Sequence, residues 1–447
     1  MKYTNIDFKI DDVIFHGNIE DNCLFIDWII LYECNYKCSY CFGQDSLSKD
    51  KFTHLEKLKY AVDQIFTIDK DRYAFTLTGG EVTYYPYLLD LIDYIFSYKN
   101  KNISIYIITN GSKNIDFFNN FFSKYAGYDI TFTLSIHFEY VQFDHIFDII
   151  KLANQYNKRI RISIMAHPIM RKEVESFFND ILKLRNNYVF DINLATIMSG
   201  ESYNILDPRY DEDYLKWIKE STEYINNKVY KNDNLNRITW GPKYYYNLKN
   251  GQNNIRIGLD DAIIEEKLNF NNFYCCGGIN TIRINHDGTY KSGTCSNYEI
   301  IGNIYTDVID YKKLLNIVKC SLNSCPCTAD YAIPKFRYIE NAIEYNDKIK
   351  NNYLFSVLNS INNKFNILNN DIRIIKYKTN SIIDTLAWWI PFKKQRESFR
   401  SKFKVRPDQT RPDQTRPDLI ICKEHIQFYN NSKIEKLQPM LHLKNAA

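Results

Sequence analysis

The sequence predicts an α/β protein: six strand–helix units building a parallel sheet, then a small cysteine-rich extension, then a helical tail. Three observations carry this expectation. Between residues 23 and 200, short runs of β-branched and aromatic residues alternate with amphipathic helical stretches, an order that implies parallel strands joined by right-handed crossovers. Most of the 11 cysteines fall into two groups, one near residue 40 and one between residues 275 and 327. After about residue 340 the chain turns Asn- and Ile-rich and reads as helix.

A chain of 447 residues with 45% apolar content can bury a sizeable core. Its 57 Lys and Arg against 53 Asp and Glu give a formal charge of +4, which offers no global reason to expect a nucleic-acid partner. The opening residues lack the charged-then-apolar pattern of a secretory signal, and no apolar run approaches the roughly 20 residues that span a bilayer, so the expected location is the cytoplasm. Clustered cysteines in odd number read as metal ligands rather than as a disulfide framework.

Residues 1–22 are expected to cap the sheet as a strand pair, 6–10 and 13–16, turning at Asp11-Asp12. The run 24–31, rich in Ile, Phe and Trp, suits a buried strand. Cys34, Cys38 and Cys41 then fall on the loop at its C-terminal end, the rim where βα barrels do chemistry. Three thiolates within eight residues can grip one metal centre but leave a four-ligand shell incomplete, whereas structural zinc takes four protein ligands. Helix 55–66, with Leu58, Ala61, Val62 and Ile65 at helical spacing, leads to strand 73–77, which ends in Gly79-Gly80-Glu81. The alternation repeats as helix 87–98 and strand 103–108, helix 115–125 and strand 130–136, helix 142–156 and strand 159–165, and helix 172–184 and strand 189–195. Thr109-Asn110-Gly111, Ser135-Ile136-His137 and His167-Pro168 fit the same rim. For His137 and His167 an ordinary hydrogen-bonded histidine and a substrate role are equally open.

The sequence divides into a cap (1–22), a core (23–200), a polar connecting region (201–270) with a helix near 211–226, a cysteine-rich extension (271–335) and a tail (336–447). In the extension, Asp287-Gly288 is a two-residue turn between alternating arms, expected to bring Cys276 and Cys295 together, with Cys320, Cys325 and Cys327 following a helix at 311–318. In the tail, residues 382–406 set aromatic residues beside a basic run, which suits either a membrane interface at the inner face or a docked helix. The repeat at 406–418, Arg-Pro-Asp-Gln-Thr, reads as an exposed linker.

The spacing Cys34-x3-Cys38-x2-Cys41, followed at the next strand end by Gly79-Gly80-Glu81, resembles the motifs of radical S-adenosylmethionine (SAM) enzymes. The resemblance implies a partial (βα)6 TIM-like barrel, with a doubly wound sheet as the alternative. It implies that Cys34, Cys38 and Cys41 hold three irons of a [4Fe-4S] cluster whose fourth iron is chelated by SAM. Tyr40 would lie beside the adenine, Gly79, Gly80 and Glu81 would meet the methionyl amino group, and Asn110 and Ser135 would complete the cofactor contacts. An Asp-Gly often follows the position of Ser135 in that family; here His137 and Phe138 do.

The second cysteine group resembles the twitch or SPASM extension of such enzymes, with one auxiliary [4Fe-4S] cluster drawn from Cys276, Cys295, Cys320, Cys325 and Cys327, and with Cys275 as a further candidate. The gap from Gly288 to Cys295 is longer than in that pattern and the last group is compressed. Zinc is the alternative occupant. By this resemblance the chain is an oxygen-sensitive enzyme that cleaves SAM reductively with electrons from a flavodoxin or ferredoxin, and abstracts hydrogen from a small-molecule or peptide substrate. No peptide-recognition domain is expected in the short stretch before Cys34, and the tail is similar to segments of surface-polysaccharide biosynthesis proteins. A sugar-like precursor and a peptide therefore both stand as substrates, and a zinc-binding module is the reading from another class.

Overall fold

In a computed structural model, the described residues are 8–17, 22–41, 52–199, 205–225, 245–253, 255, 257, 259–325, 327–388 and 392–404. The repeat at 406–418, Cys422 and the first arm of the expected strand pair up to residue 7 lie outside them. The chain divides into two compact units, Met1–Ser356 and Val357–Ala447.

The elements of the first unit run β1 (Val13–Gly17), β2 (Cys23–Leu31), α1 (Leu55–Phe66), β3 (Arg72–Gly79), α2 (Leu88–Ser97), β4 (Ile103–Thr109), α3 (Ile115–Lys124), β5 (Ile130–Ile136), α4 (Phe143–Gln155), β6 (Arg159–Ala166), α5 (Arg171–Arg185) and β7 (Asp191–Thr196). A small ladder, β8 (Met198–Ser199) with β9 (Ile205–Leu206), precedes α6 (Glu212–Tyr224), β10 (Tyr245–Leu248) and α7 (Leu259–Ile264). The remainder comprises β11 (Tyr274–Gly277), β12 (Thr281–Ile284), β13 (Thr289–Lys291), β14 (Gly302–Asn303), α8 (Tyr311–Leu314), β15 (Asn316–Lys319), α9 (Thr328–Tyr331), β16 (Lys335–Phe336), α10 (Ile339–Trp388) and, in the second unit, α11 (Lys393–Phe403).

Strands β2 to β7 are parallel and hydrogen-bonded in sequence order, giving the partial (βα)6 TIM-like barrel. Strand alternation divides its two faces. Leu24, Ile26, Trp28, Phe75, Leu77, Phe132, Leu134, Ile162 and Ile192 meet the helices on the outer face, where α1 contributes Leu58, Ala61, Val62 and Ile65 at helical spacing. The inner face is polar along much of its length. It carries Asp27, Thr76, Thr133, Arg161, Ser163, Asp191 and Asn193, and at its strand starts Cys23, Phe25, Ala74 and Tyr106 close on Ala329 of α9.

The turn at Asp287-Gly288 does form a hairpin, with Gly288 at φ +86°. Its first arm, β12, does not stand apart in an extension: it joins the barrel sheet, parallel to β2, and the whole sheet runs β14-β13-β12-β2-β3-β4-β5-β6-β7. Arg283 of β12 pairs with Asp27 of β2 across this seam. A second, antiparallel sheet gathers distant segments in the order β10-β1-β16-β11-β15. Asp11-Asp12 do form the expected turn, a 3-10 turn that also takes in Ile10, and β1 after it finds its partners in β10 and β16. The expected helix 311–318 stops at Leu314, because residues 316–319 are drawn into pairing with β11.

In the second unit the basic run lies largely on α11, where Arg400 (2.9 Å) and Lys404 (2.8 Å) both pair with Asp384. No helix among the described residues is long and apolar enough to cross a membrane.

Candidate active site

The loop after β2 carries Cys34, Cys38 and Cys41. The Cys41 amide donates to the Cys38 carbonyl (3.0 Å), and the Tyr36 amide donates to the Cys34 sulfur (3.4 Å). The end of β4 supplies a second donor: Asn110 directs Nδ2 at Cys34 Sγ (3.9 Å) and at Asn35 Oδ1 (2.9 Å), while its Oδ1 accepts from the Ser112 amide (3.0 Å). Such N–H groups stabilise negative charge on sulfur. Burial raises the proton affinity of the Cys34 thiol and pushes Cys38 up to about 12, with Glu139 adding to the latter effect.

Gly79 and Gly80 are dictated by packing against this loop. Gly79 adopts φ +149°, and a Cβ there would lie 2.1 Å from the Leu31 carbonyl oxygen; one on Gly80 would lie 2.1 Å from that of Glu33, next to Cys34. The amides of Gly80 and Glu81 donate to those same two carbonyls, at 2.9 and 2.8 Å. The Glu81 carboxylate, 1% exposed, accepts from the Thr83 amide and hydroxyl, the Thr109 hydroxyl and the Asn110 amide, so it ties the β3 end to the β4 end.

The segment that replaces the expected Asp-Gly holds the cysteine loop from the other side. Tyr40 OH shares a hydrogen bond with His137 Nδ1 (2.8 Å), the Ser39 amide donates to Glu139 (2.8 Å), Tyr140 OH donates to the Lys37 carbonyl (3.0 Å), and the Tyr36 and Tyr140 rings stack at 4.8 Å. His167 Nε2 lies 3.3 Å from Glu139 and its ring packs against Tyr40 at 5.3 Å. Burial lowers His137 to about 4, so it is neutral at neutral pH. Burial opposes ionisation of Glu139, but its hydrogen bonds to Ser39 and His167 outweigh that and hold it below the usual carboxylate range. Ser135 sits on the inner face near the end of β5, opposite Ser163 of β6. Glu139 and Tyr140 escaped the sequence reading because nothing in sequence joins residues 36–40 to residues 137–140; the departure from Asp-Gly was the available signal.

The second cysteine group divides in a way the sequence did not anticipate. Neighbouring residues on a strand face opposite sides. On β11 that sends Cys276 into the barrel-side core, where its thiol donates to the Ala342 carbonyl (3.8 Å), and Cys275 into a second cluster with Cys320, Cys295 and Cys325. The Cys275 thiol hydrogen-bonds Cys320, which raises Cys275 and lowers Cys320. Cys276 thus lies apart from the group that Cys275 joins, and Cys327, an electrostatic neighbour of Cys325, packs against Cys23, Phe25 and Ala74.

Among the described residues, no three His, Cys, Asp or Glu side chains converge on a single-ion site. One tetrahedral zinc would need its sulfurs within about 4 Å of each other, given Zn–S bonds near 2.3 Å. An iron–sulfur cubane takes each thiolate on a separate iron, so its ligands stand further apart. Three thiols on one loop, with N–H donors aimed at Cys34, have the chemistry for such a cluster with one iron left open.

Residues 28–181 match the family model described as the radical SAM superfamily. No curated protein matches the chain in sequence. Among solved structures, native anSMEcpe with bound AdoMet and a peptide is 16% identical, with 75% of this chain and 99% of that chain covered and a TM-score of 0.46. Streptococcus suis SuiB bound to its precursor peptide SuiA is 15% identical, with 66% and 65% covered and a TM-score of 0.43. BtrN in complex with AdoMet and 2-DOIA is 16% identical, with 48% and 94% covered and a TM-score of 0.28. The stretch that matches the radical SAM superfamily model, residues 28–181, contains the three-cysteine loop and Gly79-Gly80-Glu81.

Proposed function

We propose that this chain is a radical SAM enzyme in which Cys34, Cys38 and Cys41 hold a [4Fe-4S] cluster, SAM binds beside it at the barrel mouth, and an auxiliary [4Fe-4S] cluster on Cys275, Cys295, Cys320 and Cys325 assists a net oxidation. The observation that carries the reading is the three-thiol loop at the C-terminal end of β2, with the Tyr36 amide and Asn110 donating to Cys34. When bound, the cofactors supply reductive cleavage of the SAM C5′–S bond and a 5′-deoxyadenosyl radical that takes hydrogen from substrate.

The chain's own residues position and shield. Asn110 and the Tyr36 amide stabilise charge on Cys34, Gly79 and Gly80 let the β3 end pack against the loop, and residues 137–140 clamp it. Tyr40, Gly79, Gly80 and Ser135 are the proposed contacts of SAM. Glu81 acts through Asn110 rather than by touching the cofactor, since its carboxylate is already filled with hydrogen bonds.

The inner wall of the barrel supports a polar, hydroxyl-bearing substrate such as a surface-glycan precursor. The Thr76 and Thr133 hydroxyls and Asn193 Oδ1 are buried on that face without a hydrogen-bond partner, and the Arg161–Asp191 pair (3.7 Å) lines it as well. A reductant of the flavodoxin or ferredoxin type is the proposed electron donor. Contact of residues 382–406 with a membrane surface is supported by the exposed Ile382, Leu386, Phe392 and Phe403 near Lys393, Lys394 and Arg396.

Anaerobic reconstitution, with iron and sulfide counted and 5′-deoxyadenosine assayed on the same sample, tests the reading. Iron and sulfide for two clusters with SAM cleavage are expected; stoichiometric zinc without cleavage would reject it.

A further inference from the structure

Beside the four-thiol group lies a buried cation. Lys335, 1% exposed, stands on β16 directly across the strand pair from Cys275. Its Nζ donates to the carbonyls of Asp330, Tyr331 (3.1 Å) and Ile333 (2.9 Å) and sits 5.0 Å from the centre of the Phe270 ring. No carboxylate among the described residues forms an ion pair with it. The Asp330 carboxylate, 4% exposed, interacts with it electrostatically but makes its hydrogen bonds with the amides of Thr294 (2.6 Å) and Cys295 (2.7 Å).

An ammonium taken out of water is costly unless negative charge stands nearby, and carbonyl dipoles offset only part of that cost. Cys275, Cys295, Cys320 and Cys325 are the groups here able to supply negative charge in number. A cluster held by these four thiolates would place several negative charges beside the ammonium, across the strand pair that sets Cys275 opposite Lys335.

We infer that Lys335 is a positioning residue of the auxiliary site, its buried ammonium supplying the counter-charge that favours the reduced, more negative state of a cluster held by Cys275, Cys295, Cys320 and Cys325. This rests on the auxiliary cluster proposed above and adds what it is built to do. A substrate carbon radical left by hydrogen abstraction must lose one electron and one proton to complete a two-electron oxidation. The Lys335 ammonium would make a cluster bound on these thiols easier to reduce, the property required of a group that takes up that electron.

The test uses the full chain with Cys34, Cys38 and Cys41 replaced by alanine, so that auxiliary iron is read alone, and compares Lys335→Gln with Lys335→Arg. Iron and sulfide are counted, and the reduced fraction is followed by electron paramagnetic resonance against applied potential. Lys335→Gln should retain iron and shift the oxidised-to-reduced ratio at fixed potential roughly tenfold toward oxidised, about 59 mV for one electron, while Lys335→Arg stays at the parent value. Loss of iron in the glutamine variant with retention in the arginine variant would equally support a need for the charge. Retained iron with an unmoved potential in Lys335→Gln, or equal loss of iron in both variants, would overturn the inference. A parent that binds no iron would overturn the auxiliary cluster and this inference together, while SAM cleavage by the unmodified chain is judged separately.

Discussion

His137 shows how one residue can report on the site without taking part in electron transfer. Its Nδ1 meets the Tyr40 hydroxyl at 2.8 Å, and burial lowers it to about 4 from an ordinary 6.5. Because the unfolded chain takes up the proton first, the stability this residue contributes is fully present above about pH 6.5 and is lost as pH falls toward 4. Unfolding by urea at a series of pH values should therefore show a steeper loss between pH 6.5 and 4 for the wild type than for His137→Gln. Parallel curves would mean that the imidazole is not held neutral by the fold. At this scale the sequence was most legible where chemistry needs a fixed local spacing, as in Cys34, Cys38 and Cys41. It was least legible for Glu139, Tyr140, Asp330 and Lys335, whose partners lie far away along the chain.

Strand alternation decides more at the scale of elements than the cysteine spacing does. Cys275 and Cys276 are adjacent on β11, so one must face Cys320 and the other the barrel core. Cys275→Ser should abolish auxiliary iron binding while Cys276→Ser leaves it intact; iron counts that fall in the reverse order would place the ligand on the other face. Sequence could not make this choice, because the register of β11 is set by β15 and β16, two short strands with little pattern of their own. The same dependence explains why the expected helix 311–318 gives way to β15. The β3 end offers a second case. A side chain at Gly80 would strike the Glu33 carbonyl, so Gly80→Ala should displace the cysteine loop and lower iron at the first site as well as SAM binding. Full iron content with unchanged SAM binding would show that neither the loop nor the cofactor needs a bare backbone at Gly80.

The whole molecule keeps its two thiol groups on different sheets. Cys34, Cys38 and Cys41 follow β2 of the barrel sheet, while Cys275 and Cys320 lie on or beside strands of the antiparallel sheet that also takes in β1 and β10. The six βα units were readable because each strand and helix carries its own period, 2 or 3.6, within a few residues. The antiparallel sheet was not, because its five strands come from the N-terminal segment, the connecting region and the extension, and most are four residues or fewer. Nor did sequence reveal that β12 would dock on β2, a pairing fixed by the Arg283–Asp27 contact and by Ile282 and Ile284 entering the barrel core.

The central claim is that the loop after β2 holds the iron that cleaves SAM, and production of 5′-deoxyadenosine by anaerobically reconstituted Cys38→Ala, beside wild type, tests it most directly. The account predicts production in the wild type and none above background in the variant, with auxiliary iron still bound. Production by Cys38→Ala at the wild-type rate would contradict it.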